Sequence, residues 1–230
     1  MSLDPRDAHP DDALRAAAET MRAVRDRCVW SQQIDHDALV PYLVEESAEL
    51  IDAVEDGDRA DLREELGDLL WQVLFHAEIA SRDPDDPFDI DDVARGLTDK
   101  MVRRHPHVFA DAVATTPEEV LVHWNAAKAA EKRDRRSVLD GVSERMPSLA
   151  LAQKLLGRTS RLPSDVLHVA PAESALDSEE QLGEALLALV ETARTHGWDA
   201  ERALRARLRV LQTDVRTAEG AAGTVGGAER

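Results

Sequence analysis

The sequence predicts an all-α protein, folded as an antiparallel helical bundle. Aromatic residues make up only 3% of the chain, which leaves little material for the packed faces of a β-sheet. Ala, Leu, Arg and Glu, which favour helices, are abundant, and three long stretches contain no proline. Those stretches are Tyr42–Asp83, Glu118–Met146 and Ala172–Arg230. Long helices are therefore expected in both halves of the chain.

Start and stop residues predict five helices in the first half. Their predicted ranges are 11–27, 36–56, 58–82, 90–104 and 120–134. The segment Cys28–His36 interrupts the helical periodicity and predicts a connecting loop. Gly57 is placed to end the second helix, and Asp58 is placed to cap the third. Because only a few residues join these two helices, they must lie antiparallel as a hairpin.

The charge and cysteine content exclude several classes of function. A formal net charge of −18 argues against binding to nucleic acid or to an anionic membrane surface, and leaves metal cations as natural partners. The single cysteine, Cys28, allows no internal disulfide, and we expect it to be a buried small hydrophobe. The N-terminus has no apolar core typical of a signal peptide, and no run approaches the roughly 18 apolar residues of a membrane span. These features predict a cytoplasmic protein.

The segment Leu43–Leu70 concentrates eleven carboxylates beside an apolar pattern. At about 100° per residue, Glu46 and Glu49 share one edge of the second helix, and Glu65 and Asp68 share the corresponding edge of the third. In an antiparallel hairpin these edges can meet. Four close carboxylates cannot all stay ionised unless a cation lies among them. Mg²⁺ fits such an oxygen-rich site if substrate phosphates complete its coordination.

The apolar residues beside these edges predict the core face of the hairpin. They are Leu43, Val44, Ser47, Leu50, Ile51 and Val54 on the second helix, and Leu62, Leu66, Leu69, Leu70 and Val73 on the third. Acidic residues beside an apolar stripe are usually a solvated surface, the interpretation kept for Asp52, Glu55, Asp56, Asp61 and Glu64. The four carboxylates on the facing edges have the same phase on both helices, which favours a shared site. They are Glu46, Glu49, Glu65 and Asp68. A di-iron site would need Glu-x-x-His pairs, and the sequence contains none.

The end of the fourth predicted helix offers positive charge for an anionic substrate. Lys100 and Arg104 are i, i+4 neighbours, with Arg103 beside them, and they could hold phosphate oxygens. The alternative is a solvated helix end whose cations balance the helix dipole.

Several separate motifs resemble the MazG-type nucleoside triphosphate pyrophosphohydrolases. EESAE (Glu45–Glu49) is followed after fifteen residues by ELGD (Glu65–Asp68), then by DKMVRRHPHVF (Asp99–Phe109) and HWNAAKAAEK (His123–Lys132). The similarity covers about Ala13 to Leu156. It implies an all-α, Mg²⁺-dependent enzyme, with Mn²⁺ as a substitute, that is a homodimer. It also implies hydrolysis of NTPs and dNTPs to the monophosphate and pyrophosphate.

The resemblance implies a role for individual residues. The Mg²⁺ ligands would be Glu46, Glu49, Glu65 and Asp68, with Glu45 in or near the catalytic site. Lys100 and Arg104, with Arg103 beside them, would contact the triphosphate. Trp30 could stack on a base, with a packed loop aromatic as the alternative. Trp124 and Lys128 could help to close the pocket, with a core position as the alternative for Trp124. One departure concerns the stretch CVWSQQIDH (Cys28–His36), where family members often have CPWD followed by Gln-Thr-His. Trp30 and His36 match that pattern, whereas its Pro, Asp and Thr are missing. Base preference is therefore the part of the resemblance in doubt.

The second half contains a weak echo of the first. EELGDLLWQVLFHAEIA (Glu64–Ala80) aligns with EQLGEALLALVETARTH (Glu180–His196), which replaces Glu65 by Gln181 and Asp68 by Glu184. The predicted organisation is a catalytic domain at 1–140, a degenerate second helical segment at 141–219 without a working site, and a disordered tail at 220–230. Chance similarity between two amphipathic helices is the alternative.

Two other functions fit the same residues. One is a pyrophosphohydrolase restricted to a single nucleotide, as in the all-α dUTP or phosphoribosyl-ATP enzymes. The other is a non-catalytic nucleotide-binding or helical interaction protein. Comparing turnover across nucleotides separates the first, and binding without hydrolysis would identify the second.

Overall fold

A computed structural model describes residues 12–131, 137–159, 176–210 and 213. Within those ranges the regular elements are helices and no β-strand occurs, so the predicted all-α class is confirmed. The helices are α1 (Ala13–Arg27), α2 (His36–Asp56), α3 (Arg59–Ala80), α4 (Ile90–Arg104), α5 (Pro106–Phe109), α6 (Pro117–Ala130), α7 (Ser148–Thr159), α8 (Glu179–Thr195) and α9 (200–210). None of the described helices combines the length and hydropathy needed to cross a membrane. The predicted tail at 220–230 lies outside the described residues.

The turn between α2 and α3 is built as Gly57 and Asp58 predict. Asp35 caps the first turn of α2, and Gly57 ends the helix with φ +77°, a left-handed conformation that favours glycine. The Asp58 carboxylate then accepts the backbone N–H groups of Ala60 and Asp61 and starts α3. Two residues separate the helices, so the chain reverses direction, and α2 and α3 form the most extensive helix–helix contact of the described chain.

The core of the first half lies where α1 covers one part of this hairpin. Met21 of α1, Leu39 of α2, and Leu74 and Phe75 of α3 form a buried cluster. The loop after α1 is fixed by Ser31, whose buried hydroxyl lies 2.9 Å from the carbonyl oxygen of Val24 and 3.0 Å from that of Cys28. The interrupted periodicity of this loop corresponds to a short 3-10 turn, Ser31–Gln33.

The predicted core face of the hairpin is wrong for most of its length. Val44, Val54 and Leu66 are 64%, 60% and 53% exposed. The reason is that α1 is only 15 residues long and packs against the part of α3 that contains Leu74 and Phe75. In the described part of the chain, the other part of the hairpin therefore keeps an uncovered apolar surface. Periodicity identified an apolar stripe, but it did not identify what covers that stripe.

Cys28 is exposed, contrary to its predicted burial. It follows the last residue of α1 as the C-cap, with extended backbone, so its side chain is outside the packed face of that helix. Hydrogen bonding within the Cys28–Ser31 turn, from the Ser31 backbone first, lowers the pKa of its thiol.

Two reciprocal capping boxes fix the helices that follow the hairpin. Asp89 and Asp92 form the first and start α4 at Ile90, as predicted. Thr116 and Glu119 form the second and start α6. The structure ends α6 at Ala130, and the last predicted residues of this helix, 132–134, lie outside the described residues.

The chain divides into two compact units, Met1–Glu131 and Lys132–Arg230. In the second unit, α7 packs on α8, and Leu156 and Val190 are among its buried residues. The Gln153 side chain links α7 to the start of α9. It donates to the Trp198 carbonyl (3.0 Å) and accepts from the Ala200 N–H (3.2 Å). The proposed ancestry of this unit as a degenerate copy stays a prediction.

Candidate functional site

The facing edges of α2 and α3 bring three of the predicted metal ligands together. One carboxylate oxygen from each of Glu46, Glu49 and Glu65 lies within 4.8 Å of the other two. These three residues are called the acidic cluster below. Glu46 and Glu49 are one turn apart on α2, and the antiparallel hairpin brings Glu65 of α3 opposite them. The cluster is partly exposed: Glu49 is open to solvent, while Glu46 and Glu65 are half-buried.

Asp68, the fourth predicted ligand, lies beside the cluster but is not a member of that group. Its effect is electrostatic. Partial burial raises the pKa of Glu46, and the charges of Asp68, Glu49, Glu65 and Glu45 raise it further. Burial also raises the pKa of Glu65, with added contributions led by Glu49 and Asp68. These carboxyls therefore repel one another at neutral pH when no cation is present.

The donor set suits a hard divalent cation. Glu65 Oε2 is buried and has no hydrogen-bond partner among the described residues, although such an atom normally has one. Two oxygens on opposite sides of Mg²⁺ at about 2.1 Å each are about 4.2 Å apart. Separations within 4.8 Å therefore let the three carboxylates reach one ion after small side-chain movements. The all-oxygen chemistry of these donors fits Mg²⁺ or Mn²⁺.

The predicted phosphate-binding residues lie on α4, and one of them has an unpredicted partner. The Arg104 side chain is 11% exposed, and its Nη2 lies 2.6 Å from Glu131 Oε2. The Arg104 guanidinium also lies over the Trp124 ring, with Cζ 4.8 Å from the ring centroid. Arg103 is more exposed and pairs with the other Glu131 oxygen at 3.2 Å, whereas Lys100 is half-buried one turn earlier on α4.

The structure therefore pairs Arg103 and Arg104 with Glu131, a residue that the sequence-based set lacks. The available signal was helical spacing, because Glu131 is seven residues after Trp124 and three after Lys128 on the same helix face. Lys128 lies half-buried in the last turn of α6.

Trp30 belongs to an aromatic group at the hairpin. Its ring contacts Tyr42 and Phe75 edge-on, with both centroid distances 6.2 Å, and the residue is half exposed. Tyr42 precedes Glu46 by one turn of α2, about 6 Å along the helix axis. The accessible indole of Trp30 therefore contacts a residue that lies one turn of α2 before Glu46.

In the predicted alignment of the two halves, Gln181 corresponds to Glu65. The Gln181 side-chain oxygen accepts the Asp177 N–H at 2.6 Å, within the N-terminal turn of α8. Among the described residues, the acidic cluster of the first unit is the only group of three or more His, Cys, Asp or Glu side chains close enough to hold one ion.

Comparison with known proteins shows which family shares this pattern. The MazG nucleotide pyrophosphohydrolase domain matches residues 34–109, a range that contains the acidic cluster and the cationic end of α4. A crystal structure of a mazG-related protein from Thermotoga maritima is 27% identical, with a TM-score of 0.43 over 49% of this chain and 96% of that chain.

Three relatives are similar over most of this chain. An uncharacterized 26.1 kDa protein from Streptomyces cacaoi is 47% identical, over 92% of this chain and 84% of its own length. The nucleoside triphosphate pyrophosphohydrolase of Mycolicibacterium smegmatis is 42% identical over 80% of this chain, which spans 59% of that protein. The nucleoside triphosphate pyrophosphohydrolase of Escherichia coli K12 is 34% identical, over 84% of this chain and 81% of its own length. The protein therefore belongs to the MazG family of nucleotide pyrophosphohydrolases.

Proposed function

We propose that this protein is a Mg²⁺-dependent nucleoside triphosphate pyrophosphohydrolase that cleaves NTPs and dNTPs between the α- and β-phosphates. The observation that carries the proposal is the convergence of Glu46, Glu49 and Glu65 within 4.8 Å, in a chain whose relatives are named for this activity. The products would be a nucleoside monophosphate and pyrophosphate.

The acidic cluster, with Asp68, would hold the cation. When bound, Mg²⁺ or Mn²⁺ supplies charge neutralisation at phosphate oxygens and lowers the pKa of a bound water. Glu45, on the solvent-exposed side of α2 next to Glu46, would help to orient the water that attacks the α-phosphorus. Lys100 and Arg104 would stabilise the charge of the departing pyrophosphate, and no covalent enzyme intermediate is required.

The working unit is proposed to be a homodimer. The uncovered apolar stripe of the hairpin, which includes Val44, Val54 and Leu66, is typical of a surface that a second copy buries. Light scattering should give twice the 25.4 kDa chain mass. The double variant Val44→Lys/Val54→Lys should be monomeric, whereas Val113→Lys, a change at a site 76% exposed, should leave the mass unchanged.

Product analysis tests the proposed reaction. The full chain is incubated with each NTP and dNTP plus Mg²⁺, and monophosphate, pyrophosphate and orthophosphate are measured separately. Pyrophosphate and monophosphate in equal amounts are expected. Orthophosphate as the primary product would contradict cleavage at the α–β bond, turnover of one nucleotide alone would indicate a nucleotide-specific enzyme, and binding without turnover a non-catalytic protein.

Substitutions test the assignment of the site to the first unit. Glu46→Ala and Asp68→Ala should each abolish turnover of the full chain while circular dichroism shows unchanged helicity. Glu64→Gln removes a charge from an exposed position of the same hairpin and should keep activity. Residual turnover in both Ala variants would contradict the ligand assignment, or would indicate a second site in the 132–230 unit.

A further inference from the structure

The Glu131 carboxylate makes several hydrogen bonds with two neighbouring arginines of α4. Its Oε2 atom accepts from Arg104 Nη2 at 2.6 Å and from Arg104 Nε at 3.2 Å. Its Oε1 atom accepts from Arg103 Nη2 at 3.2 Å. The carboxylate therefore engages the Nε–Nη2 edge of Arg104, the edge that a phosphate would otherwise bind in a two-point contact.

Trp124 fixes the same guanidinium from another direction. The Arg104 Cζ atom lies 4.8 Å from the Trp124 ring centroid. His105 approaches the same ring edge-on, with 5.3 Å between centroids. One edge of a planar cation is thus held by a carboxylate and one face by an indole. The hydrogen bonds of Arg104 in the described part of the chain use Nε and Nη2, so Nη1 is left to face a ligand.

We propose that Glu131 is a positioning residue for the pyrophosphohydrolase reaction, which acts through Arg104; this inference rests on the proposed function. Glu131 holds the guanidinium over the Trp124 ring, so that Nη1 and the cationic charge have one fixed direction. An arginine at the end of a helix otherwise explores many rotamers, and fixing it before the substrate arrives removes that cost from each turnover.

The geometry separates the roles of the two arginines. The Arg103 side chain is 56% exposed and makes one bond to Glu131, whereas the Arg104 side chain is 11% exposed and makes several. Glu131 is itself ionised through the neutral range, because its hydrogen bond from Arg104, followed by that from Arg103, keeps its pKa below the ordinary glutamate value. The exposed Arg103 thus binds the Glu131 carboxylate on its solvent side, and the same carboxylate binds the buried Arg104.

A double-mutant cycle tests this inference in the full-length protein. Glu131→Ala, Glu131→Gln and Arg104→Ala are prepared singly, and Glu131→Ala/Arg104→Ala together, with steady-state kcat and KM measured on the best nucleotide. Glu131→Ala should lower kcat/KM on the order of 10- to 100-fold, the range for misplacing a catalytic group by about 1 Å. Glu131→Gln should recover part of the loss, since its amide oxygen still accepts one bond. In the Arg104→Ala background, removing Glu131 should change kcat/KM less than twofold.

Matched controls and a substrate-free readout keep the outcomes distinct. Glu118→Gln, an exposed change in the first turn of α6, should leave kcat/KM unchanged. Independently of turnover, ¹⁵N NMR should show a slowly exchanging Arg104 Nε–H that is lost in Glu131→Ala. Absence of turnover in the unmodified protein would defeat the proposed function, and the NMR comparison would still test whether Glu131 fixes Arg104.

Three results would overturn the positioning role. The first is an unchanged Nε–H signal in Glu131→Ala. The second is an equal loss of kcat/KM in the presence and absence of Arg104, which would show that Glu131 acts elsewhere. The third is an increase in kcat/KM in Glu131→Ala, because Glu131 would then compete with the substrate for the guanidinium instead of orienting it.

Discussion

Replacement of Glu46 by glutamine should stabilise the metal-free protein and remove its stabilisation by Mg²⁺. Burial raises the pKa of Glu46, as do the charges of Asp68, Glu49, Glu65 and Glu45, so the ionised carboxylate is less favourable in the folded chain than in the unfolded one. A glutamine of the same shape removes that repulsion. In buffer with a chelator at pH 7.5, Glu46→Gln should therefore have a higher Tm than the unmodified protein.

The pH dependence of this difference has a definite sign. Below the ordinary glutamate pKa, Glu46 is protonated in both the folded and the unfolded chain, and its ionisation costs no stability. As the pH rises through the raised folded-state pKa, the folded chain must ionise Glu46 against its neighbours, and this part of the stability is lost. The Tm advantage of Glu46→Gln should therefore be larger at pH 7.5 than at pH 4.5.

The metal effect can be worked from the cluster geometry. Ligand oxygens within 4.8 Å of one another can share one ion with little rearrangement. At a Mg²⁺ concentration 100 times Kd, binding adds about 2.7 kcal/mol to the free energy of unfolding. A chain of this length gains about 2–4 °C in Tm per kcal/mol, so Mg²⁺ should raise the Tm by roughly 5–10 °C. If loss of one ligand raises Kd 100-fold, the same concentration adds only about 0.4 kcal/mol.

Differential scanning calorimetry at constant ionic strength is the assay, with and without Mg²⁺. Glu64→Gln is the matched control, because it removes one negative charge from an exposed position of α3, and it should keep the full Mg²⁺-induced rise. A Mg²⁺-induced rise in Glu46→Gln as large as in the unmodified protein would refute Glu46 as a ligand. A lower Tm of Glu46→Gln in chelator at pH 7.5 would refute the electrostatic argument.

Three further substitutions test the scaffold of the site. Phe75→Ala, in the fully buried core, should lower the free energy of unfolding measured by urea titration by about 3–5 kcal/mol. Val29→Ala, at an exposed position, should change it little, and equal effects of the two substitutions would contradict the described core. Gly57→Ala, at φ +77° with open space around it, should lower the free energy of unfolding by about 1–2 kcal/mol in the same urea titrations. Gly96→Ala, inside a helix, should leave that free energy unchanged or raise it. Asp89→Ala removes the capping box of α4 and should cost about 1 kcal/mol in thermal unfolding; an unchanged Tm would show that this cap does not hold α4.

The local elements could be predicted because their causes are local. Asp35, Gly57 and Asp58 set the ends of α2 and α3 within one turn of their own positions, and Asp89 does the same for α4. The meeting of Glu46 and Glu49 with Glu65 follows from the same information, since a hairpin with a two-residue connection has little freedom in its register. That these residues bind Mg²⁺ stays a prediction.

Other features depend on which helix covers which surface. Val44 and Val54 have the spacing of core residues, yet they are exposed because α1 reaches only the part of the hairpin around Phe75. The partner of Arg104 was likewise unpredictable from its own helix, since Glu131 is 27 residues away in the chain. Charge near the end of α4 indicated phosphate binding, but only packing of α4 against α6 shows that a carboxylate and an indole already hold one of those charges.

The sequence by itself determined the all-α class, the α2–α3 hairpin and the facing acidic edges, because caps, turns and the 3.6-residue period act over a few residues. Only the tertiary structure decided which apolar stripe is buried, where Trp30 rests, and how Glu131 fixes Arg104. These depend on contacts between distant segments, whose geometry is set by the packing of whole helices and not by the pattern within any one of them.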